Sequence, residues 1–437
     1  MRSLPIVVFL LAALLAPPFA CSAASASAPP ASPAAAPDTL EFAPAPADSG
    51  AFLPEAEPHH ASEADAWMRA PFGEGLLTDR ELWRARGGRF HSAHLLLDYN
   101  RVDRLRLGVR HQIQVPEPMA PRLGVRVAYA FGRERVLYGF QLEQPLVRPG
   151  RIALGASLVR RTDHNELQQV DDLENTLAML LWRYDYRDYF ERDGLGAYLS
   201  WYVPDFSTLS VHLRRDQYRS LPLDPGTRSW FHRSRPLRDN PAVDEGETHS
   251  AVIRLERAAH ARRHTHAGVH HWFEAERAGR GLGGDFTYTR VLGDLRSVIR
   301  LSPATTLMLR VAGGHTASGT LPVQKEFPLG GVDVLRAHAF GQFRGDQMAL
   351  AQAEYTVGLW RLRTGGFEGG LHAIAFVDAG QAWFDARHRW DLRRQHVAVD
   401  GGFGLATGED NLRVYLAKDL QASDSDLVLS VRLHRPF

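Results

Sequence analysis

Cysteine is all but missing from this chain of 437 residues: Cys21 stands alone, which excludes an internal disulfide framework and any cysteine-rich metal site. A surplus of one charge is missing as well. Lys and Arg together number 51 and Asp and Glu 50, a net charge of +1, so the chain offers no polycation and no nucleic-acid partner is expected. Beyond Ala23 no run of about 18 consecutive apolar residues occurs, which excludes a bilayer-spanning helix. Catalytic signatures are missing too. There is no Gly-x-Ser-x-Gly elbow, and the glycines of Gly279-Arg280-Gly281-Leu282-Gly283-Gly284 lack the flanking strand and helix of a phosphate loop, so they read as a surface turn. His264, His266 and His270 share one face of a candidate strand, with His271 on the other, but steps of about 7 Å along a strand keep three imidazoles from converging on one ion. Asp185, Asp188 and Asp193 lie among Arg183, Arg187 and Arg192, where charge balance in a loop accounts for them. No enzyme activity, metal or cofactor is expected.

What is present begins with a compartment signal. Arg2 gives a short positive end, Pro5 to Ala16 an apolar core, and Pro18-Phe19-Ala20 or Cys21-Ser22-Ala23 a small-residue cleavage zone, so residues 1–23 read as a secretory signal peptide. Lipidation of Cys21 is the alternative, which Pro18 and Phe19 disfavour. Residues 24–65 are rich in Ala and Pro, cannot bury enough apolar surface to offset chain entropy, and read as a disordered linker. Residues 66–92, with Trp67, Met68, Leu76, Leu77, Leu82 and Trp83, are expected to form a short helical or plug segment.

From residue 93 onward the repeated signal is alternation with period two. In Arg122-Leu123-Gly124-Val125-Arg126-Val127-Ala128-Tyr129-Ala130-Phe131, one face carries Leu, Val, Val, Tyr and Phe and the other Arg, Gly, Arg, Ala and Ala. Arg104 to Arg110 repeats the pattern. A soluble sandwich alternates too, but arginine-rich faces on strands of about ten residues, with aromatics near strand ends and a signal peptide, favour a barrel with lipid outside and water inside. Strand candidates fall near residues 93, 104, 122, 136, 151, 195, 205, 247, 264, 283, 303, 347, 371, 396, 410 and 425, sixteen in all. If the first runs outward, the long segments 163–194, 218–246 and 315–346 all fall on the outer side and the short joins near 204, 260, 300, 366 and 408 on the inner side. The last candidate strand ends in Phe437, and an aromatic terminus on an alternating strand suits outer-membrane insertion. The fold expected is all-β: a 16-stranded antiparallel transmembrane barrel over residues 93–437.

Three blocks carry a family likeness. The first is Asp98-Tyr99-Asn100-Arg101-Val102-Asp103 with Leu107-Gly108. The second runs from Phe327-Pro328-Leu329-Gly330-Gly331 through Val334-Leu335-Arg336 and Phe343-Arg344-Gly345-Asp346 to Glu354-Tyr355. The third is Ala375 to Trp383, containing Asp378. In this order they resemble the bacterial surface antigen superfamily, which includes BamA-like and TamA-like outer-membrane assembly factors and the transporters of two-partner secretion. The resemblance implies that the sixth loop folds inward and that Arg336 meets Asp378 on the wall, with Glu354 as a further partner. It also assigns Gly330, Gly331, Leu335, Ala337, His338, Gly345 and Asp346 to the loop motif. Ala337 and His338 depart from the family's usual Gly and aromatic, and only glycine takes positive φ cheaply. Relatives carry periplasmic domains ahead of the barrel. The low-complexity stretch here is too short for one, so none is expected.

The function implied is assembly or translocation of a macromolecule at the bacterial outer membrane, through a weak seam between first and last strands. Outer-membrane lipid, and a protein client or periplasmic partner, are the expected contacts, and an oligomer is compatible with the pattern. The alternative is a structural or surface-exposed barrel that binds partners through 163–194 and 218–246.

Overall fold

The computed structural model describes residues 90–433 apart from 115–118, 148–151, 169, 204–206, 258–267, 303, 365–366, 393–394 and 408–411. The signal peptide, the linker, residues 66–89, His264, His266 and Phe437 lie outside the described residues.

Sixteen strands form one sheet in which each pairs antiparallel with its neighbours. In order they are β1 (Phe90–Asn100), β2 (Arg104–Gln114), β3 (Arg122–Ala130), β4 (Arg135–Val147), β5 (Ile152–His164), β6 (Tyr189–Val203), β7 (Ser207–Ser220) and β8 (Gly246–Arg257). The second half comprises β9 (Gly268–Ala278), β10 (Tyr288–Ser302), β11 (Thr305–Gly319), β14 (Gln347–Thr364), β15 (Phe367–Trp383), β16 (Ala398–Thr407), β17 (Leu412–Asp419) and β18 (Val428–Arg432). Two strands outside this sheet, β12 (Phe327–Leu329) and β13 (Phe343–Gly345), pair with each other inside the β11–β14 connection. Among the described residues no ladder joins β1 to β18, so the sheet has two edges.

Each of the sixteen expected positions lies within, or up to five residues ahead of, one strand of the large sheet, because alternation was the property that placed them. Two local expectations need correction. The strand expected near 283 starts at Tyr288, since Arg280–Leu282 coil into a 3-10 turn that Gly283 ends at φ 96°. The segment 163–194 is no bare loop: it holds a helix, α1 (Asp172–Trp182), and the start of β6. The Asp171 carboxylate accepts from the Leu173 N–H at 2.8 Å, Asp172 and Glu174 sit in the first turn, and Arg183 closes the helix at φ 58°.

The two faces of the sheet are inverted relative to a water-soluble protein. On β4 the exposed positions include Val136, Phe140, Leu142, Leu146 and Val147, whereas Gln141 and Glu143 are buried. On β17 Leu412, Val414 and Leu416 are exposed and Arg413 is buried. Phe403 is 74% and Leu95 71% exposed. Withdrawing such side chains from water is worth about 1.5–3 kcal/mol each, so a sheet that leaves a whole face of them uncovered is built for an apolar surrounding. The buried face meets the complementary demand with ion pairs, as where Arg122 meets Glu143 at 2.8 Å and Arg310 meets Asp294 at 2.7 Å.

Candidate functional site

The β12–β13 pair forms the neck of a loop whose tip packs on the buried face of the sheet. Phe327 lies opposite Gly345 and Leu329 opposite Phe343. Gly345 allows this neck to touch β15, since a Cβ there would come within 2.2 Å of the Trp383 carbonyl oxygen. The chain reverses at Gly330 and Gly331, with φ of 110° and 102°, and at Gly341 with φ 61°. Gly330 is also crowded: a Cβ would meet the Ala339 carbonyl at 2.2 Å. Ala337 is not among the positive-φ residues, so the glycine it replaces is not required by this backbone. Leu335 is fully buried in a cluster with Leu329, Val334 and Leu350.

Arg336 is held from every side. Its Nη1 donates to Glu354 Oε2 at 3.0 Å, and its Nε lies 3.2 Å from Asp378 Oδ2, an ion-pair contact without hydrogen-bond alignment. The guanidinium carbon sits 4.0 Å from the Phe376 ring centre and 4.6 Å from that of Tyr415. Glu354 is shared, because Arg413 donates to its other oxygen and Tyr415 Oη donates to Oε2 at 3.0 Å. Gln352 ties the network to the loop backbone, donating to Asp378 Oδ1 at 3.0 Å and to the Val334 carbonyl at 2.8 Å. The expected trio Arg336, Asp378 and Glu354 is therefore in contact. Arg413, Tyr415, Phe376 and Gln352 were not singled out in the sequence.

The neighbouring loop residues reach β16 and β17. The Ala337 N–H donates to Asp400 Oδ2 at 2.7 Å. His338 places Nδ1 2.9 Å from Asp400 Oδ1 and Nε2 3.7 Å from Asp419 Oδ2. The ligand-type atoms of these three residues lie within 4.8 Å of one another, the one such His-containing cluster among the described residues. Each imidazole nitrogen thus lies near one carboxylate, and the contact with Asp400 lacks hydrogen-bond alignment. Asp346 accepts from the Asp385 N–H at 3.0 Å, joining the end of the loop to the β15–β16 connection.

A second constellation lies at the sheet's edges. The Thr176 hydroxyl of α1 accepts from the Tyr99 N–H of β1 at 3.0 Å and donates to Asp98 Oδ1 at 3.0 Å. Glu174, two residues earlier, accepts from Arg432 Nε of β18 at 2.5 Å, and Arg432 also donates to Asp333 of the loop. Residues two apart on a helix point about 200° apart, so α1 touches one edge strand with each flank. Burial pushes the Glu174 carboxyl up, against the pull of Arg432. The sequence held a signal for this helix, an Asp171-x-x-Glu174 cap ahead of the apolar run from Leu177 to Trp182.

Residues 264–408 match the Omp85 superfamily domain. No curated protein sequence matches the chain. Among solved structures, a BamA from Haemophilus ducreyi lacking POTRA domains 1-3 is 13% identical, with 79% of this chain and 69% of that one covered and a TM-score of 0.52. CdiB from Escherichia coli is 13% identical over 79% of this chain and 62% of its own, at a TM-score of 0.45. CdiB from Acinetobacter baumannii is 13% identical over 79% and 59%, at 0.40. The chain thus spans less than two thirds of either CdiB. Two findings therefore agree: the sheet with its inverted faces has a BamA-like fold, and residues 264–408 match the Omp85 superfamily domain.

Proposed function

We propose that the protein acts in outer-membrane protein assembly or in translocation through or beside its own barrel, which closes where β1 meets β18 and holds the 330–342 loop in its lumen. The observation that carries this reading is α1, whose Thr176 and Glu174 hold the two edge strands by side chains where, among the described residues, no backbone ladder joins them. A ladder over several residues opens only when many hydrogen bonds break together. A side-chain clasp opens when one helix moves. Once open, the unpaired N–H and C=O groups of β1 and β18 can pair with a client strand by edge addition. The Arg336 network sets the loop beside that seam: Arg432 of β18 donates to Asp333, three residues from Arg336. Nothing in this mechanism makes or breaks a covalent bond.

Depletion of the protein tests the proposal. Loss of specific outer-membrane or secreted proteins from their destination is expected, restored by the wild-type chain and not by one with α1 cross-linked to β1. An unchanged outer-membrane proteome would overturn it. A second reading, a surface interaction module, is favoured by Trp230 and Phe231, which are exposed although their backbone N–H groups are fixed on the Leu180 and Leu181 carbonyls of α1.

A further inference from the structure

We propose that the buried face of the sheet carries a binding site for a small multivalent oxyanion of the phosphate class, with Arg126 of β3 and Arg214 of β7 as its principal ligands. The two side chains border a cavity of about 120 Å³. Seven arginines and Lys325 line it against three carboxylates, Asp163, Glu166 and Asp172. Most of the cations are already neutralised. Arg161 and Arg192 share Asp163 at 2.7 and 2.9 Å, and Arg187 meets Asp172 at 2.6 Å. Arg106 meets Asp98, Arg254 meets Glu274 and Lys325 meets Glu276. Glu166 is taken by Arg290 at 2.6 Å.

Arg126 and Arg214 are left over. Among the described residues neither has an ion pair or a hydrogen bond, and Arg214 Nε is buried with no partner. Arg126 stands directly opposite Arg110 in the β2–β3 ladder, a like-charge pairing that opposes folding. The other six cations that line the cavity are paired with carboxylates, because an unpartnered cation away from bulk water is costly. Two exceptions bordering one cavity point to a ligand that supplies the missing negative charge.

The chemistry of the lining narrows the class. Guanidinium groups recognise planar or tetrahedral oxyanions through paired N–H donors, and one ligand with several charged oxygens can answer two arginines at once, which chloride cannot. A single water needs roughly 10–15 Å³ by the same kind of measure, so a cavity of about 120 Å³ has room for a phosphate group and several waters. The phosphate could arrive free or as part of a lipid headgroup.

The test is calorimetric titration of the full chain, folded in a maltoside detergent at constant chloride, with inorganic phosphate and, separately, with short-chain phosphatidic acid. Binding of phosphate identifies the free anion as sufficient, and binding of phosphatidic acid alone assigns the site to a headgroup. Arg126→Gln with Arg214→Gln is expected to weaken the bound probe by roughly tenfold or more. Arg126→Lys with Arg214→Lys keeps the charge and recovers part of the affinity, which controls for variants that fold poorly. No binding of either probe to folded wild-type protein, or equal affinity in the Gln variant, overturns the proposal.

Discussion

Arg336 and Glu354 meet at 3.0 Å with neither side chain exposed to solvent, and Glu354 contacts Arg413 as well. The acid on β14 is thus the hub of the loop network, and the pairing with Asp378 is its secondary arm. A hub and an arm respond differently to removal.

Glu354→Ala takes an acid from two buried guanidiniums, Arg336 and Arg413, whereas Asp378→Ala takes one from Arg336 and leaves it Glu354. Breaking a buried pair by removing one partner costs about 3–5 kcal/mol. Glu354→Ala is expected at or above that range and Asp378→Ala below it, read as the drop in heat-modifiability midpoint on cold-extracted gels. Equal losses would show that Asp378 carries the network.

Arg336→Ala is expected to free the loop tip while Arg413 keeps Glu354 neutralised. In planar bilayers a small, flickering conductance in the wild type should become large or unstable in the variant. Silence in both, for protein shown to be inserted, would remove the loop from any gating role.

Ala337→Gly should change little, because Ala337 does not occupy the left-handed region. The added freedom of the unfolded chain costs about 0.4–1 kcal/mol. Gly330→Ala should cost more, since it combines φ 110° with a Cβ that would press on the Ala339 carbonyl at 2.2 Å. Urea midpoints of the two variants in the same vesicles decide the order.

Loosening α1 should loosen the edges. Thr176→Val removes the acceptor for the Tyr99 N–H, and Glu174→Gln weakens the hold on Arg432. The double variant is expected to show faster amide exchange at Tyr99 and on β18, with exchange on β10 unchanged. Uniformly faster exchange would mean general destabilisation instead of an opened seam.

Glu174 also sets a pH dependence. Burial raises its carboxyl above the usual value of 4.5, so the folded state binds this proton more tightly than the unfolded chain does. The stability this supplies is complete below 4.5 and is lost as pH rises through the folded value. Glu174→Gln removes that loss, so the wild type should weaken relative to the variant between pH 4 and pH 8 in paired urea titrations. A constant difference across that range would exclude Glu174 as the titrating group.

The strands were legible because every one of them repeats the same two-residue rhythm, and a rhythm survives errors at single positions. The site was legible only where a motif marked it. Arg413 and Tyr415 carry no local signal, because their meeting with Glu354 depends on how β14, β15, β16 and β17 align side by side, a relation between distant segments. β12 and β13, three residues each, are too short for alternation to register. Helix α1 was overlooked for a different reason: its cap was present at Asp171 and Glu174, but the surrounding acids and arginines read as an ordinary charged loop. His338 stands where an aromatic was expected, and its contacts with Asp400 and Asp419 could be seen only once those two acids faced each other across the β16–β17 ladder.

The outward row of Phe403, Leu405, Leu416 and Leu429 has a price in transit. Between leaving the ribosome and reaching lipid, the chain must carry those side chains through water, where they attract one another and any other greasy surface they encounter. A surrounding as apolar as the row itself removes that hazard, so the same side chains that endanger the chain in water hold the finished sheet in place.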